Sequence, residues 1–149
     1  MLASIFCSRE YSAYTERKMR ECEGYLSLIV YTEKMIASYL APLSLIFRDF
    51  ECEALTLNGF LPSVRSGKSP SLAIRESKLL IPDDMRDMLC EYFDGFGKEY
   101  KDAELARTRT LRSRLESEVN VERERLDKSV KVTRALLLGA AAGIAILII

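Results

Sequence analysis

Apolar residues recur along most of this chain at spacings of three and four, and no stretch alternates apolar and polar at period two for long. That pattern predicts amphipathic helices, not strands. From about Ser8 to Leu40 one stripe runs through Cys22, Leu26, Ile29, Ile36 and Leu40, widened by Tyr25, Leu28, Met35 and Tyr39. Pro42, with no amide proton to give, closes this helix or opens the next. Leu43, Ile46, Phe47, Phe50 and Ala54 predict a second, shorter helix. Asn58-Gly59 marks a turn, and Phe60 to Val64 supplies one further helical turn before the loop Ser66-Gly67-Lys68-Ser69. Ser69-Pro70 has the form of a helix start, with a hydroxyl N-cap and proline at the first position; the helix to about Lys78 is expected to bury Leu72, Ala73 and Leu79. After Ile81-Pro82, Asp83 or Asp84 serves as a cap, and Met85, Met88, Leu89, Tyr92 and Phe93 lie at i, i+3, i+4, i+7 and i+8, a full core face. Gly95 and Gly97 suit its exit.

The last helix is read from about Lys98 onwards, with a thin seam of Leu111, Leu115, Val119, Leu126 and Val130 interrupted by Glu122. Opposite charges four apart, Glu124 with Lys128 and Asp127 with Lys131, support it locally. Its early half is expected to pack on the domain and its later half to lead into the membrane beside another helix. Charge stops at Arg134: Ala135 to Ile149 is a run without a charged or polar side chain. As a helix that run covers about 22 Å, against a hydrocarbon core of ~30 Å; counting from Val132, with Arg134 snorkelling its head group to the interface, it reaches roughly 27 Å. The run predicts a marginal C-terminal membrane anchor, carried by Arg134, Leu136, Leu137, Leu138, Gly139, Gly143, Ile144, Ile146, Leu147 and Ile148. Gly139 and Gly143, four apart, form a small-xxx-small face for packing on another membrane helix. Lys128, Lys131 and Arg134 flank the run on its N-terminal side, which by the positive-inside rule makes the preceding domain cytoplasmic. At the other end, MLASIFCS is too short and too poor in basic residues to be a signal peptide or a span.

The chain has 149 residues, enough for one domain with a core, and equal numbers of basic and acidic residues, 22 each. Without a surplus of positive charge, nucleic acid is not an expected partner. Histidine is absent, which removes Ser-His-Asp and Cys-His sites and His-bearing zinc sites. Cys7, Cys22, Cys52 and Cys90 form no CxxC pair and are expected to be reduced, mostly buried thiols. Gly67-Lys68-Ser69 matches the end of a Walker A loop, but Pro62 stands where the first glycine belongs and no strand leads in, so the segment is expected to be a solvated loop. Asp83, Asp84 and Asp87 suit a helix start better than catalysis. Arg107, Arg109, Arg112 and Arg114 form the one basic run with the character of a partner surface, against the plainer reading of a solvated face. No catalytic, metal or cofactor site, and no small-molecule substrate, is expected.

Four segments carry a resemblance to a known family. Ile36-Ala37-Ser38-Tyr39-Leu40-Ala41-Pro42-Leu43 looks like a helix ending at a Pro-Leu corner, Gly67 to Ala73 like a glycine followed by a helix start, and Pro82 to Gly97 like a helix ending in a phenylalanine-glycine step. Lys128 to Ile149 looks like a glycine-bearing C-terminal membrane helix. Together, over about Glu23 to Ile149, these resemble the stage III sporulation protein AB family of endospore-forming bacteria. Two features depart from it. The family begins with a membrane helix, of which Met1 to Cys7 would be the remnant, whether by truncation or because this member has one span. Lys98-Glu99-Tyr100-Lys101-Asp102 also stands where the family has a leucine-glycine-x-serine-aspartate turn.

The resemblance implies an all-α helical bundle similar to the cytoplasmic domain of the type II secretion platform protein, followed by a long helix running into a C-terminal transmembrane helix. It further implies a non-enzymatic adaptor in the sporulation complex between mother cell and forespore, on the mother-cell side of the outer forespore membrane. Its partners would be the operon's secretion-type ATPase and other membrane proteins of that complex. The expected organisation is a short apolar N-terminus at 1–8, a helical domain at 9–131 and an anchor at 132–149. The competing reading is a tail-anchored tether that pairs through Leu111 to Val130.

Overall fold

A computed structural model describes the backbone of residues 2–39 and 41–148, and the side chains of residues 10–39, 41–132, 135 and 136. The described elements are all helices, in the order α1 (Leu2–Tyr39), α2 (Leu43–Asp49), α3 (Glu53–Leu57), α4 (Phe60–Arg65), α5 (Pro70–Glu76), α6 (Asp83–Gly95) and α7 (Lys101–Ile148). The all-α expectation holds. The chain divides into two units, 1–119 and 120–149.

In the first unit the predicted stripes become the core. Cys22, Tyr25, Leu28 and Ile29 of α1 meet Ile46 and Phe47 of α2, Leu55 of α3, and Phe60 and Leu61 of α4. Met85, Leu89, Tyr92 and Phe93 of α6 join them, and Leu111, Leu115 and Val119 of α7 complete the cluster. Its centre is aromatic: Phe60 lies 5.2 Å from Tyr25, 5.8 Å from Phe47 and 6.4 Å from Phe93, centroid to centroid. Tilted and edge-on rings at such distances contribute beyond the area they bury.

Several local expectations are met with their causes visible. Pro42 opens α2, its carbonyl accepting from the amides of Leu45 and Ile46. Gly59 has φ 86°, and Asn58 Oδ1 accepts from the Phe60 amide at 3.0 Å, which makes the turn before α4. Ser69 caps α5, its Oγ accepting from the Leu72 amide at 3.4 Å, with Pro70 at the first position.

Others are corrected. The helix predicted over Leu43 to Ala54 breaks in two, because Phe50 is extended and buries its ring. Arg65 stabilises the break, its Nε donating to the Phe47 carbonyl and its Nη2 to that of Phe50. Leu72 is 44% exposed, since α5 buries Ser71, Ala73 and Ile74 instead. Pro82, not an aspartate, is the N-cap of α6; Asp83 and Asp84 occupy its first turn, where their charge suits the helix end without a capping bond. The last helix starts at Lys101 because Gly97, at φ 79°, turns the chain and donates its amide to Glu104 Oε2 at 3.1 Å.

In the second unit, the stretch of α7 from Asn120 is mostly polar and exposed, with Val130 43%, Val132 58% and Leu136 69% exposed and Leu126 half-buried. Glu122 is buried and accepts from Arg125 at 2.9 Å. Among the described residues no helix is long and apolar enough to cross a membrane. The backbone of α7 is helical through Ile148, but the side chains of Arg134, Leu137, Leu138, Gly139, Gly143, Ile144, Ile146, Leu147 and Ile148 lie outside the described residues. So do those of Met1 to Cys7, on a backbone helical from Leu2.

Candidate functional site

At 100° per residue, Arg107 and Arg114 lie within about 20° of each other around α7, and Arg109 and Arg112 within about 60° on another side. The four therefore make two pairs, and the structure uses the pairs differently.

Arg109 and Arg112 straddle Glu33 of α1. Arg109 Nε donates to Glu33 Oε1 at 3.1 Å and Arg112 Nη1 to Oε2 at 3.0 Å, while Arg112 Nε donates to Glu116 at 2.9 Å. The hydrogen bond from Arg112, followed by burial acting the other way and the bond from Arg109, leaves the Glu33 carboxyl below the usual glutamate range. These two arginines join α1 to α7.

Arg107 holds the exit of α6. Its Nη1 donates to the Gly95 carbonyl at 2.9 Å and its guanidinium carbon stands 5.7 Å from the centre of the Tyr92 ring. Gly95 lets the guanidinium come this close: a Cβ there would sit 2.5 Å from Arg107 Nη2 and push it aside. Beneath it, Tyr92 Oη and Thr108 Oγ1 are 2.7 Å apart and buried, and Thr108 also donates to the Glu104 carbonyl at 2.7 Å. Burial pushes the Tyr92 phenol upward despite the bond with Thr108.

Arg114 is exposed and has no ion-pair partner among the described residues. It lines a groove of about 300 Å³ between α6 and α7, with Met88, Glu91, Tyr92, Arg107 and Leu111. Of the predicted arginine surface, then, Arg107 and Arg114 reach one groove and Arg109 and Arg112 are drawn into an ion-pair bridge.

The remaining predicted positions are accounted for locally. Gly67 has φ 100°, Lys68 pairs with Glu76, and Ser69 is the cap of α5. Asp83, Asp84 and Asp87 are exposed. Among the described residues no three cysteine or acidic side chains are gathered as a metal ion would require. Cys22 and Cys90 are buried and Cys52 half-buried, as thiols, and Cys7 lies outside the described side chains. The seam residues Leu111, Leu115 and Val119 are spent within the core of the first unit.

A second polar cluster escaped the sequence reading. Glu21 is 7% exposed, accepts from the Leu80 amide at 2.9 Å, and has Asn58, Arg17 and Arg86 around it. Burial raises its pKa, with those neighbours opposing. The neighbouring Tyr25 phenol is raised too, by burial first. Glu21, Arg17, Arg20, Asn58 and Lys78 border a hollow of about 410 Å³. The signal was present: Glu21 precedes Cys22 and lies four and seven residues before Tyr25 and Leu28, so a charge sits on the most apolar face of α1.

No family model matches this chain, and no curated protein or solved structure is significantly similar to it.

Proposed function

We propose that this protein is a non-enzymatic, membrane-held adaptor: a helical domain presented at a membrane surface by the end of α7. The observation that carries the reading is the continuity of α7. One helix, Lys101–Ile148, contains both the buried seam Leu111, Leu115 and Val119 and the uncharged run from Ala135. A core helix of the bundle and the apolar run thus belong to one and the same element. Val132 and Leu136 are exposed, as lipid-facing side chains must be. The basic flank of Lys128 and Lys131 supports a cytoplasmic side for the domain within this reading, by the positive-inside rule. The tether alternative, pairing through Leu111 to Val130, has less support, because Leu111, Leu115 and Val119 of that seam are already committed to the core.

Within this reading, the assignment to the stage III sporulation complex, with the secretion-type ATPase as partner, rests on the family resemblance alone. It predicts that the gene lies beside genes for such an ATPase and for small membrane proteins. The anchor is tested by fractionation. The full chain is expected in the membrane pellet after an alkaline carbonate wash, and the chain lacking Ala135 to Ile149 in the supernatant. A truncated chain that still sediments, or a full chain that does not, overturns the proposal.

A further inference from the structure

The geometry points to the groove between α6 and α7 as the docking place of an acidic amphipathic helix from a partner protein. This deepens the adaptor reading and rests on it. The groove has an apolar floor of Met88, Tyr92 and Leu111, with Arg107 and Arg114 on its α7 side and Glu91 on its α6 side. Tyr92 and Leu111 are buried, but Met88 on the same face of α6 is only half-buried. The bundle thus leaves the edge of its own core stripe uncovered there. Methionine suits such a place, since its flexible thioether adapts to an incoming side chain.

The charges specify the occupant. Arg107 and Arg114 are seven residues apart, two turns, or about 10.5 Å along α7. A helix laid along the groove with carboxylates at i and i+7 would place one at Arg114 and bring the other to Arg107, beside the contacts its Nη1 already makes with the Gly95 carbonyl and, at 3.6 Å, with Glu104, and apolar residues at i+3 and i+4 would fall on the floor between them. Arginine is well suited to this, because its planar fork takes a carboxylate with two parallel hydrogen bonds. The contrast within α7 strengthens the argument. Arg109 and Arg112 are fully engaged with Glu33 and Glu116, whereas Arg114, at the groove, is the member of the run left without a partner among the described residues. A bilayer surface would call for cations spread over a flat face; here two cations line one edge of an apolar trough and Glu91 borders the other.

The test places a photo-crosslinking amino acid at Thr110, an exposed groove residue whose hydroxyl bonds only within its own helix, in the full chain expressed in its own cells. The expected result is a crosslink to one protein, mapped by mass spectrometry to a helical segment with carboxylates seven residues apart. Arg114→Glu should lower the yield at least tenfold, and Lys34→Glu, on the exposed surface of α1, should leave it unchanged. With the crosslinker moved to Met88, Thr110→Trp should fill the groove and produce the same loss, which keeps the proposal decidable if Arg114→Glu fails to fold. The proposal is overturned by no crosslink, by a crosslink to a second copy of this chain, to lipid, to nucleic acid or to a segment without those carboxylates, or by indifference to Arg114→Glu and Thr110→Trp. Fractionating the same cells separates the two claims. A membrane-bound chain without the crosslink defeats the groove and leaves the anchor standing; an Arg114-dependent crosslink from a soluble chain does the reverse.

Discussion

The two stretches of α7 on either side of Val119 have the same kind of sequence and different fates. Both are rich in arginine and glutamate, and both carry a seam residue every three or four positions. Before Val119 the stripe Glu104, Thr108, Leu111, Leu115 and Val119 is buried throughout, polar members included. After it the seam opens by steps: Glu122 is still buried, Leu126 is half-buried and Val130 is 43% exposed. The compact unit ends at Val119. A periodic seam tells which side of a helix is able to face a core; whether it does depends on what the rest of the chain brings opposite. In the first stretch that is α6, whose Tyr92 hydroxyl meets Thr108, and α1, whose Glu33 takes Arg109 and Arg112.

The sharpest way to break this comparison is to truncate one seam residue from each stretch. Leu115 is 0% exposed and belongs to the core cluster, so Leu115→Ala should cost about 2–5 kcal/mol, the transfer term plus the cavity left behind. Val130→Ala, at an exposed position, should stay within about 0.5 kcal/mol of the parent. Urea unfolding of the detergent-solubilised chain followed by circular dichroism reads both. A Val130 cost approaching that of Leu115 would mean the second stretch has a core of its own.

This is also where legibility divided. The helices around Cys22–Ile29 and Met85–Phe93 could be read because each buries one long, unbroken stripe. So could the Ser69 cap and the turn at Gly59, which depend on residues within four positions of each other. The break at Phe50 could not, because its stabilising partner, Arg65, is supplied from α4. The division of the four arginines was half-legible: helical angle separates Arg107 and Arg114 from Arg109 and Arg112, but only the position of Glu33, more than seventy residues away in the chain, shows which pair is consumed. Glu21 and Glu104 were legible only as anomalies, charges on apolar faces, since the backbone amides that satisfy them belong to connections between helices.

A smaller effect probes why the buried stripe of α7 tolerates polar members at all. Thr108→Val leaves the Tyr92 hydroxyl buried without its partner and should cost about 1–3 kcal/mol. Tyr92→Phe should cost about 1 kcal/mol, since Thr108 keeps its bond to the Glu104 carbonyl. The double variant should lie no lower than Thr108→Val alone. Additive losses in thermal unfolding would show that the two hydroxyls act independently, and that the stripe is apolar packing with polar residues tolerated inside it.

The smallest effect is electrostatic, and its sign separates two glutamates of α1. Glu33, gripped by Arg112 and Arg109 of the buried stretch of α7, has its pKa lowered from an ordinary value of 4.5. The folded state therefore holds its proton less tightly than the unfolded state, and the pair's contribution is complete above 4.5 and lost as pH falls through the lower, folded value. Glu21 runs the other way. Burial raises its pKa above 4.5, so its contribution is present below 4.5 and lost as pH rises through the raised, folded value. Glu33→Gln should thus be less stable than the parent at neutral pH, with the gap closing in acid. Glu21→Gln, which keeps an acceptor for the Leu80 amide, should match or exceed the parent at neutral pH and lose that advantage in acid. Unfolding midpoints taken from pH 7 down to pH 3 give both curves. If Glu33→Gln shows no acid-dependent convergence, the bridge from α1 to α7 is a surface contact without energetic consequence, and packing alone distinguishes the two stretches of the last helix.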